Sequence, residues 1–515
     1  MNSFYELLVG AADHSPEQEA VISGDASWTY RELKALTDRY VEQFAASGVG
    51  RGSTVAVMLE NRPEAIALFA ACAASGAVFT PIDVHAPDQR RRDLLCDAQP
   101  DLVVTDVSCA EFSDGRRGAT LVGSELRVAE GGGAPKEARN DGHLYTIYTS
   151  GSTGRPKGIM MSEGAALSFF RGLLEFMRLP AGSRYMTTSP LHFDYFWLDV
   201  GLTLASGGVL ILLDRAQLRK PGAFVAAIER YGAGYVSAVP TIWKMALRFA
   251  AADLAELTTL RRIVFAGEHF PQPHIRELYR LIPDLRIVNV YGQSESIACA
   301  FHLLPNPLPA GLQHLPVGRG HCEAELFLID DNGREIREPF RRGELYLEGQ
   351  LLFSGYSNGR DETAKRLLPD PRSGTGTTFR TGDICYFDDD GVFYFVRRAD
   401  SQVQVAGNRV EPAEIEAVIG RHEDVNNVAV VAMESEGAIT LHAFVVPCVG
   451  NGAHDLEERL RSYCAAHLPY YMSPRAYHLV EGIPIGATGK NDVNALRGLL
   501  LDGGGERGVC ELPAS

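Results

Sequence analysis

A loop rich in glycine and hydroxyl side chains, entered from an apolar segment, most restricts what this chain can fold into. Eight of the ten residues from Thr149 to Gly158 are Ser, Thr, Gly or Lys, and the preceding Leu144–Tyr148 has the composition of a strand. Glycine lets backbone N–H groups approach an anion, hydroxyls donate further hydrogen bonds, and Lys157 adds positive charge. The pattern predicts a phosphate-binding loop at the end of a strand.

Two common phosphate-binding motifs and a linker are the alternatives to this interpretation. The loop contains neither GxxxxGK[ST] nor GxGxxG. A flexible Gly/Ser linker has a similar composition. Such linkers rarely follow a strand and end on a sequence like Pro156-Lys157-Gly158, so the pattern favours a phosphate loop.

Apolar strands alternate with amphipathic helices along the chain. This alternation predicts layered α/β sheets with parallel strands, and we detect no internal repeat. We expect an exposed loop at Gly131–Gly142 and a mobile tail at Asp502–Ser515. The patterns predict helices at Arg31–Ser47, Glu64–Ala74 and Pro221–Tyr231 and strands at Thr54–Met58, Leu102–Val104 and Gly208–Leu213.

Composition excludes several classes of protein. The 515 residues suffice for a large domain and a second, smaller one, and the net charge of −16 argues against a nucleic-acid partner. We find no apolar run of about 18 residues, which argues against a membrane partner, and no basic start typical of a secretory signal. Nine scattered cysteines without CxxC pairs predict reduced thiols and a cytoplasmic protein.

An ordered set of short motifs resembles the adenylate-forming superfamily. This superfamily includes acyl-CoA synthetases, luciferases and the adenylation domains of nonribosomal peptide synthetases. The resemblance runs from about Trp28 to Lys490. The motifs that carry it are Trp28–Leu33, Gly76–Asp83, Tyr145–Gly158, Tyr291–Glu295, Gly343–Leu345, Arg380–Asp383, Arg398–Asp400 and Gly489–Lys490.

The resemblance implies a fold and a reaction. A large N-terminal domain of layered α/β sheets (residues 1–399) is expected to meet a small, mobile α+β domain (residues 400–515) that rotates about a hinge at Asp400. In the family reaction a carboxylate attacks the α-phosphate of ATP in the presence of Mg²⁺, and a thiol then attacks the acyl-adenylate. Because an anion attacks a polyanion, positive charge and hydrogen-bond donors must supply most of the catalysis.

Residue roles follow from the same resemblance. Catalytic roles fall to Lys490, which would bridge the substrate carboxylate and the α-phosphate, to Lys157 and Glu295, and to Asp400 as the hinge. Glu295 is the implied Mg²⁺ ligand. The residues implied to bind the nucleotide are Thr149, Ser150, Gly151, Ser152, Thr153, Gly154, Lys157, Tyr291, Ser294, Asp383 and Arg398.

Each of these residues has a simpler alternative, and some positions depart from the family pattern. Glu295 alone is compatible with a helix start, Asp383 with a turn and Lys490 with an exposed surface lysine. Ser294 replaces a Thr but keeps the hydroxyl, and Gln293 stands where Pro is common. The other departures are Phe395, Arg397, Gln404 and Ala406, which affect the small domain's expected role in thioester formation.

The segment Pro190–Val200 resembles the amino-acid-activating branch of the superfamily. There Asp194 would bind the substrate ammonium, since a carboxylate in an apolar run needs a cationic partner. A helix cap is the alternative role for Asp194, and Asp199 is expected to point elsewhere. The implied pocket consists of Asp194, Tyr195, Leu198, Ser237, Val264, Ala266, Val290, Ala298, Cys299 and Lys490.

The lining between Asp194 and Lys490 is neutral and mostly apolar, which predicts a neutral, mainly hydrophobic amino acid. Proline, a branched aliphatic and an aromatic amino acid all stay open. No carrier motif follows Lys490, so we expect a phosphopantetheinylated carrier protein in trans, as in antibiotic biosynthesis and other secondary metabolism. The alternatives are an acyl- or aryl-CoA ligase, a β-amino acid adenylating enzyme and a regulatory nucleotide-binding protein.

Overall fold

The computed structural model describes residues 3–106, 117–129, 142–151, 156–321, 324–435, 438–448, 455–484 and 491–502. Most of the expected loop at Gly131–Gly142 and the tail after Asp502 lie outside these residues. The chain divides into two compact units. The larger consists of Met1–Val84, Leu95–Tyr148 and Gly158–Ala399, and the smaller of His85–Leu94, Thr149–Lys157 and Asp400–Ser515.

Helices and strands alternate through most of the described chain. The helices are α1 (Phe4–His14), α2 (Tyr30–Ala46), α3 (Pro63–Ser75), α4 (Asp88–Ala98), α5 (Glu163–Met177), α6 (Asp194–Ser206), α7 (Arg215–Arg219), α8 (Pro221–Arg230), α9 (Pro240–Phe249), α10 (Ala251–Ala255), α11 (Gln272–Leu281), α12 (Arg360–Arg366), α13 (Pro412–Ile419), α14 (Leu456–His467) and α15 (Val493–Asp502).

The strands are β1 (Glu19–Ser23), β2 (Ala26–Thr29), β3 (Thr54–Met58), β4 (Val78–Pro81), β5 (Leu102–Thr105), β6 (Arg117–Val122), β7 (Glu125–Val128), β8 (His143–Thr149), β9 (Lys157–Ser162), β10 (Arg184–Thr187), β11 (Val209–Leu212), β12 (Tyr235–Ser237), β13 (Arg262–Phe265), β14 (Arg286–Tyr291), β15 (Ala300–Leu303), β16 (Pro316–Gly320), β17 (Ala324–Ile329), β18 (Glu335–Ile336), β19 (Gly343–Gly349), β20 (Gly355–Tyr356), β21 (Leu367–Leu368), β22 (Thr378–Phe387), β23 (Phe393–Arg398), β24 (Val403–Val405), β25 (Asn408–Val410), β26 (Val425–Ser435), β27 (Ala438–Pro447) and β28 (Ala476–Leu479).

The six sequence-predicted segments are present, and their ends differ from the prediction by at most one residue. Helix α2 begins at Tyr30 because Thr29 caps it: the Thr29 hydroxyl accepts the N–H of Glu32, and the Glu32 carboxylate accepts the N–H of Thr29. Helix α3 begins with Pro63 at its first turn and ends at Gly76 in the left-handed conformation. Capping interactions therefore determine where these helices begin and end, which hydrophobic periodicity alone does not specify.

Two sheets form the framework of the larger unit. One has the strand order β20-β9-β8-β4-β3-β5-β6-β7, with β8, β4, β3, β5 and β6 parallel. In the other, the parallel strands β1, β11, β10, β12, β13 and β14 continue into antiparallel strands from β15 onward. The predicted layered α/β class is confirmed.

Aromatic packing joins helices and strands in the core of the larger unit. Trp197 of α6 stacks on Phe69 of α3 at 4.0 Å between ring centroids and meets Phe79 of β4 edge to face at 4.9 Å. Rings in these arrangements contribute about 0.5–1.5 kcal/mol per pair beyond their area burial. This packing fixes α6, whose first residue is Asp194.

The smaller unit has an α+β core around the three-stranded sheet β26-β27-β28. Hairpin β24-β25 turns at Ala406 and Gly407, which both have positive φ angles of 48° and 77°. Two successive positive φ angles are typical of a type I′ turn, which matches strand twist. Helices α13 and α14 contribute Ile415 and Leu460 to the core of this unit. The predicted small α+β domain class is confirmed.

The described helices contain no span that is both long and apolar enough to cross a membrane. The six cysteines described are all free thiols, namely Cys72, Cys96, Cys299, Cys385, Cys448 and Cys464.

Candidate active site

The carboxyl ends of neighbouring parallel strands bring four residues of the expected pocket together. Strands β10, β12 and β13 are in register, with Thr187 opposite Ser237 and Ser237 opposite Val264. Ala266 follows β13, and Val290 is near the end of β14. Ligands bind preferentially at this edge of parallel sheets. Four expected pocket residues therefore lie at or near the edge where a ligand site is expected.

The segment from Tyr291 to Cys299 folds back on itself at this edge. The N–H of Cys299 donates to the carbonyl of Tyr291 at 2.8 Å. A Cβ on Gly292 would lie 2.3 Å from the Cα of Ala298, so only glycine fits there. Ile297 has a φ of 60°, an unusual conformation for a β-branched residue. The tight turn buries Ala298 and Cys299, as expected for pocket residues.

Glu295 lies in this turn, and the simpler interpretation as a helix-start residue is wrong because no helix follows it. Its side chain is 1% exposed, and its Oε1 accepts the hydroxyl of Tyr356 at 2.8 Å. Among the residues described, no group of three or more His, Cys, Asp and Glu side chains is arranged to hold a metal. Mg²⁺ is commonly held by one or two carboxylates together with substrate phosphates, so Glu295 fits that ion.

A buried carboxylate, Asp383, accepts hydrogen bonds from three side chains on two separate segments. Arg398 donates from Nη1 to Oδ1 at 2.7 Å, and the two residues are directly opposite in β22 and β23. The Tyr291 hydroxyl and Nε2 of Gln293 donate to Oδ2, the latter at 2.7 Å. The structure thus brings together three of the expected nucleotide residues, Tyr291, Asp383 and Arg398.

Gln293 is a site residue that sequence reasoning treated only as a tolerable departure. Its amide nitrogen also donates to the carbonyl of Thr381 at 3.1 Å, so it joins the turn after β14 to β22 at Asp383. A proline at this position would have no side-chain donor. No pattern in the sequence signals this contact, because its partner lies 90 residues away.

Asp194 is the first residue of α6 and follows the N-cap residue Phe193. Its Oδ1 accepts the N–H of Tyr195 at 2.8 Å. Burial raises the pKa of the Asp194 carboxyl to about 6; interactions with Ser294 and with the Tyr195 N–H oppose the rise, and the nearby Glu295 charge adds to it. Burial and the charge of Glu295 thus both disfavour the ionised form of Asp194, and an added cation would favour it.

Asp199, expected to point elsewhere, lies beside two residues of the expected pocket. It is fully buried, and the Thr187 hydroxyl donates to its Oδ2 at 2.6 Å. Burial raises its pKa to about 7, opposed by the hydroxyls of Thr187, Ser237 and Tyr185. Its charge in turn helps to raise the pKa of Tyr195. Asp199 therefore interacts with Ser237 and Tyr195, two residues of the expected pocket, and the neutral, mostly apolar lining stays a prediction.

The remaining pocket residue on α6, Leu198, is buried at 1% exposure. It precedes Asp199 and follows Trp197, whose indole N–H donates to the carbonyl of Leu191 at 2.9 Å. This hydrogen bond joins α6 to the loop that precedes it. Asp194 lies between the two bonded residues in the chain, so the bond restrains its backbone.

The expected phosphate loop belongs to the smaller unit. The Ser150 hydroxyl donates to the Arg409 carbonyl at 2.6 Å, and the Gly151 N–H donates to Oε2 of Glu414 at 3.1 Å. The buried hydroxyl of Thr149 has no hydrogen-bond partner among the residues described. A loop N–H that already binds a carboxylate is a donor suited to an anion. Ser152, Thr153 and Gly154 lie outside the described residues.

Two further expected catalytic residues, Asp400 and Lys157, are among the residues described. Asp400 is exposed and is the first residue of the last segment of the smaller unit. Lys157 is buried at 9% exposure and close enough to lower the pKa of Glu411, which burial raises. Lys490 lies outside the described residues.

Comparison with family models decides the family. Residues 9–357 match the AMP-binding enzyme family, and residues 414–490 match the AMP-binding enzyme C-terminal domain. The chain belongs to the AMP-binding enzymes. The resemblance to adenylate-forming enzymes is thereby confirmed, and the chain is an enzyme by family. Motifs from Tyr145–Gly158 to Tyr291–Glu295 fall within the first match.

Individual proteins similar to this AMP-binding enzyme support the assignment. The dimodular nonribosomal peptide synthase of Bacillus subtilis (strain 168) is 31% identical over 96% of this chain and 21% of its own length. The L-proline--[L-prolyl-carrier protein] ligase of Streptomyces coelicolor is 28% identical over 92% of each chain. The crystal structure of IdnL1 has a TM-score of 0.83 at 32% identity, covering 94% of this chain and 98% of that one.

The chain spans less than half the length of the first four curated relatives it matches, at 21%, 6%, 42% and 6% of them. These include synthetases named for linear gramicidin and phosphinothricin tripeptide. The matched part of each relative aligns with nearly all of this chain, most of which matches AMP-binding enzyme families.

Proposed function

We propose that this AMP-binding enzyme activates a neutral, mainly hydrophobic amino acid with ATP and transfers it to the phosphopantetheine thiol of a separate carrier protein. One observation carries the proposal: Asp194 is the first residue of α6, burial raises the pKa of its carboxyl, and the charge of Glu295 adds to that rise. Two neighbouring carboxylates repel each other unless cations are bound. A substrate ammonium at Asp194 and Mg²⁺ at Glu295 are the cations that this reaction brings.

The proposed reaction has two steps. A carboxylate oxygen of the amino acid attacks the α-phosphorus of ATP, the bond to the β-phosphate oxygen breaks, and pyrophosphate leaves. The carrier thiol then attacks the acyl carbon, a proton leaves the thiol, and AMP departs with the electron pair of the acyl–oxygen bond. When bound, Mg²⁺ would neutralise phosphate charge as the pyrophosphate forms.

The residues of the chain divide these tasks. Asp383, held by Arg398 and Gln293, would accept the ribose hydroxyls, since a carboxylate offers several acceptor sites. Tyr291 would pack on adenine. Thr149, Ser150, Gly151 and Lys157 would bind the β- and γ-phosphates, together with Ser152, Thr153, Gly154 and Ser294. Lys490 would bridge the two reacting anions, where a cation stabilises the transition state.

The two-domain arrangement is part of the proposal. Residues 1–399 would hold the nucleotide and amino acid, and residues 400–515 would rotate about Asp400 between adenylation and transfer. Exposure of Asp400 supports a pivot there, because few packing contacts oppose rotation at an exposed residue. A cytoplasmic location would supply ATP and keep the free cysteines reduced.

The choice of amino acid rests on the pocket. Val264, Ala266, Val290 and Ala298 would supply an apolar lining, and the ligase from Streptomyces coelicolor, which by its name acts on L-proline, supports a neutral substrate. Asp199 favours a second candidate: a buried carboxylate deeper along α6 offers an alternative partner for an amine farther from the reacting carboxylate, as in a β-amino acid.

Pyrophosphate exchange tests the proposal. The purified chain is assayed with ATP, Mg²⁺ and labelled pyrophosphate against neutral α-amino acids, the β-amino acids with the same side chains, benzoic acids and fatty acids. Exchange with neutral α-amino acids alone supports the main proposal, and exchange with the β-series alone supports the second candidate. Exchange only with acids that lack an amine refutes both, and the acyl- or aryl-CoA ligase then replaces them.

A further inference from the structure

A short segment from Phe353 to Asn358 holds Glu295 by both its main chain and its side chain. The N–H of Phe353 donates to the Glu295 carbonyl at 2.8 Å, and the Tyr356 hydroxyl donates to its Oε1, also at 2.8 Å. Glu295 and Tyr356 are both buried, at 1% and 4% exposure. A buried hydrogen bond between rigid partners fixes the rotation of a carboxylate far better than solvent does.

The same segment pairs with the strand that leaves the phosphate loop. In β20, Gly355 and Tyr356 are opposite Met160 and Ile159 of β9. On either side of this pair, the N–H groups of Ser354 and Ser357 donate to the carbonyls of Met160 and Gly158, both at 2.8 Å. A Cβ on Gly158 would lie 2.5 Å from the Ser357 hydroxyl oxygen, so the two strands approach each other as closely as glycine permits.

A second carboxylate, Asp97, ties the end of the segment to the strand that enters the loop. Asp97 accepts the Tyr148 hydroxyl at 2.7 Å, the Asn358 amide at 2.6 Å and the Ser357 hydroxyl at 3.2 Å. Tyr148 is in β8, just before Thr149. The segment is thus bonded directly to β9 and to Glu295, and it is linked to β8 through Asp97.

We propose that Tyr356 is a positioning residue that orients the Glu295 carboxylate toward a nucleotide-bound divalent cation, and that Phe353–Asn358 braces this carboxylate against β8 and β9. The proposal rests on the proposed function only in that Glu295 meets the cation. Mg²⁺ demands near-ideal octahedral geometry, so the angle of a single protein carboxylate matters. Groups that orient a ligand in this way commonly change metal affinity 10- to 100-fold when removed.

Binding of Mn²⁺ to the protein with a non-hydrolysable ATP analogue, followed by electron paramagnetic resonance, tests this role without turnover. Tyr356→Phe is expected to raise the Mn²⁺ dissociation constant about tenfold. Tyr394→Phe is the matched control, because it also removes one tyrosine–carboxylate hydrogen bond, to Asp388 at 2.9 Å. The control is expected to bind Mn²⁺ as the wild type does. Equal Mn²⁺ affinity in Tyr356→Phe and the wild type would overturn the proposal.

A double-mutant cycle separates positioning from general damage. In Glu295→Gln the cation ligand is lost, so adding Tyr356→Phe is expected to change Mn²⁺ binding no further; an additive loss contradicts the proposal. If Tyr356→Phe does not fold, Asn358→Ala loosens the brace at its exposed end. A rise of about threefold in its Mn²⁺ dissociation constant then supports the brace, and no change refutes it. The readout needs no amino acid, so failure of the exchange assay leaves it intact.

Discussion

Replacing Asp194 with Asn is expected to abolish recognition of the amino group while making the protein more stable. The pKa of Asp194 is about 6, against an ordinary value of 3.8, because burial disfavours the charged form. A difference of one pKa unit corresponds to about 1.36 kcal/mol. Keeping the Asp194 carboxylate ionised near pH 7 therefore lowers the free energy of unfolding by about 3 kcal/mol. Asn keeps the shape and removes this cost.

The pH dependence follows from the sign of the shift. Between about pH 3.8 and pH 6 the folded chain binds more protons at Asp194 than the unfolded chain, so wild-type stability falls as the pH rises through this window. Below the window the wild type and Asp194→Asn should differ little. Above it the variant should unfold at a higher temperature, which differential scanning fluorimetry at pH 4 and pH 7.5 can measure.

The activity of Asp194→Asn should change in the opposite direction. An ammonium left without its charge partner costs about 2–5 kcal/mol, or about 30- to 5,000-fold in kcat/KM for the amino acid. A des-amino acid with the same side chain should lose far less. The ratio of kcat/KM for the two acids is the measurement. A ratio equal to that of the wild type, together with unchanged stability, would show that Asp194 serves only the start of α6.

Four other substitutions test separate parts of the site. Gln293→Ala removes a donor to Asp383 and should weaken ATP binding, measured by calorimetry, by about 10- to 100-fold, since one hydrogen bond to a charged group is worth about 1.5–3 kcal/mol; unchanged ATP affinity would contradict its role. Burial raises the pKa of Asp199 to about 7, so wild-type stability falls as the pH rises from about 4 to about 7, and Asp199→Asn should remove this fall in thermal melts. Equal pH profiles of the melting temperature in the variant and the wild type would contradict the raised pKa. Lys490→Ala should keep ATP binding and lose more than tenfold in pyrophosphate exchange, or about 1.4 kcal/mol; a smaller loss would mean another cation bridges the anions. Asp400→Pro, which restricts φ at the proposed pivot, should keep exchange and lose carrier loading; parallel loss of both would contradict the hinge.

The features that could be predicted from the sequence are those that short-range sequence patterns determine. Strand β3 and helices α2 and α3 were placed to within a residue, because periodicity and capping are local. The parallel topology in turn placed Ser237 and Val264 at one edge, since strand alternation determines which ends meet. Motif order predicted the family, and local turn chemistry kept Tyr291 near Cys299.

The unpredicted part depends on partners far apart in the chain. Tyr356 is 61 residues from Glu295, and Gln293 is 90 residues from Asp383. A single sequence holds no signal that pairs such residues, because the distance between them is set by sheet register and not by spacing. Gln293 in place of the common proline was a visible departure, and its donor capacity was the one clue to a role.

The surroundings of Asp199 depend both on its position on α6 and on the register of the neighbouring strands. The family resemblance implies that Asp199 points away from Asp194 on the helix, and that orientation stays a prediction. Strand register places Thr187 opposite Ser237, and the Thr187 hydroxyl donates to Asp199 at the edge where the pocket is expected. A carboxylate five residues from Asp194 can therefore still border the same ligand. The two carboxylates offer an amine two different distances from the reacting carboxylate, so the pair Asp194→Asn and Asp199→Asn, assayed with matched α- and β-amino acids, identifies which one binds it.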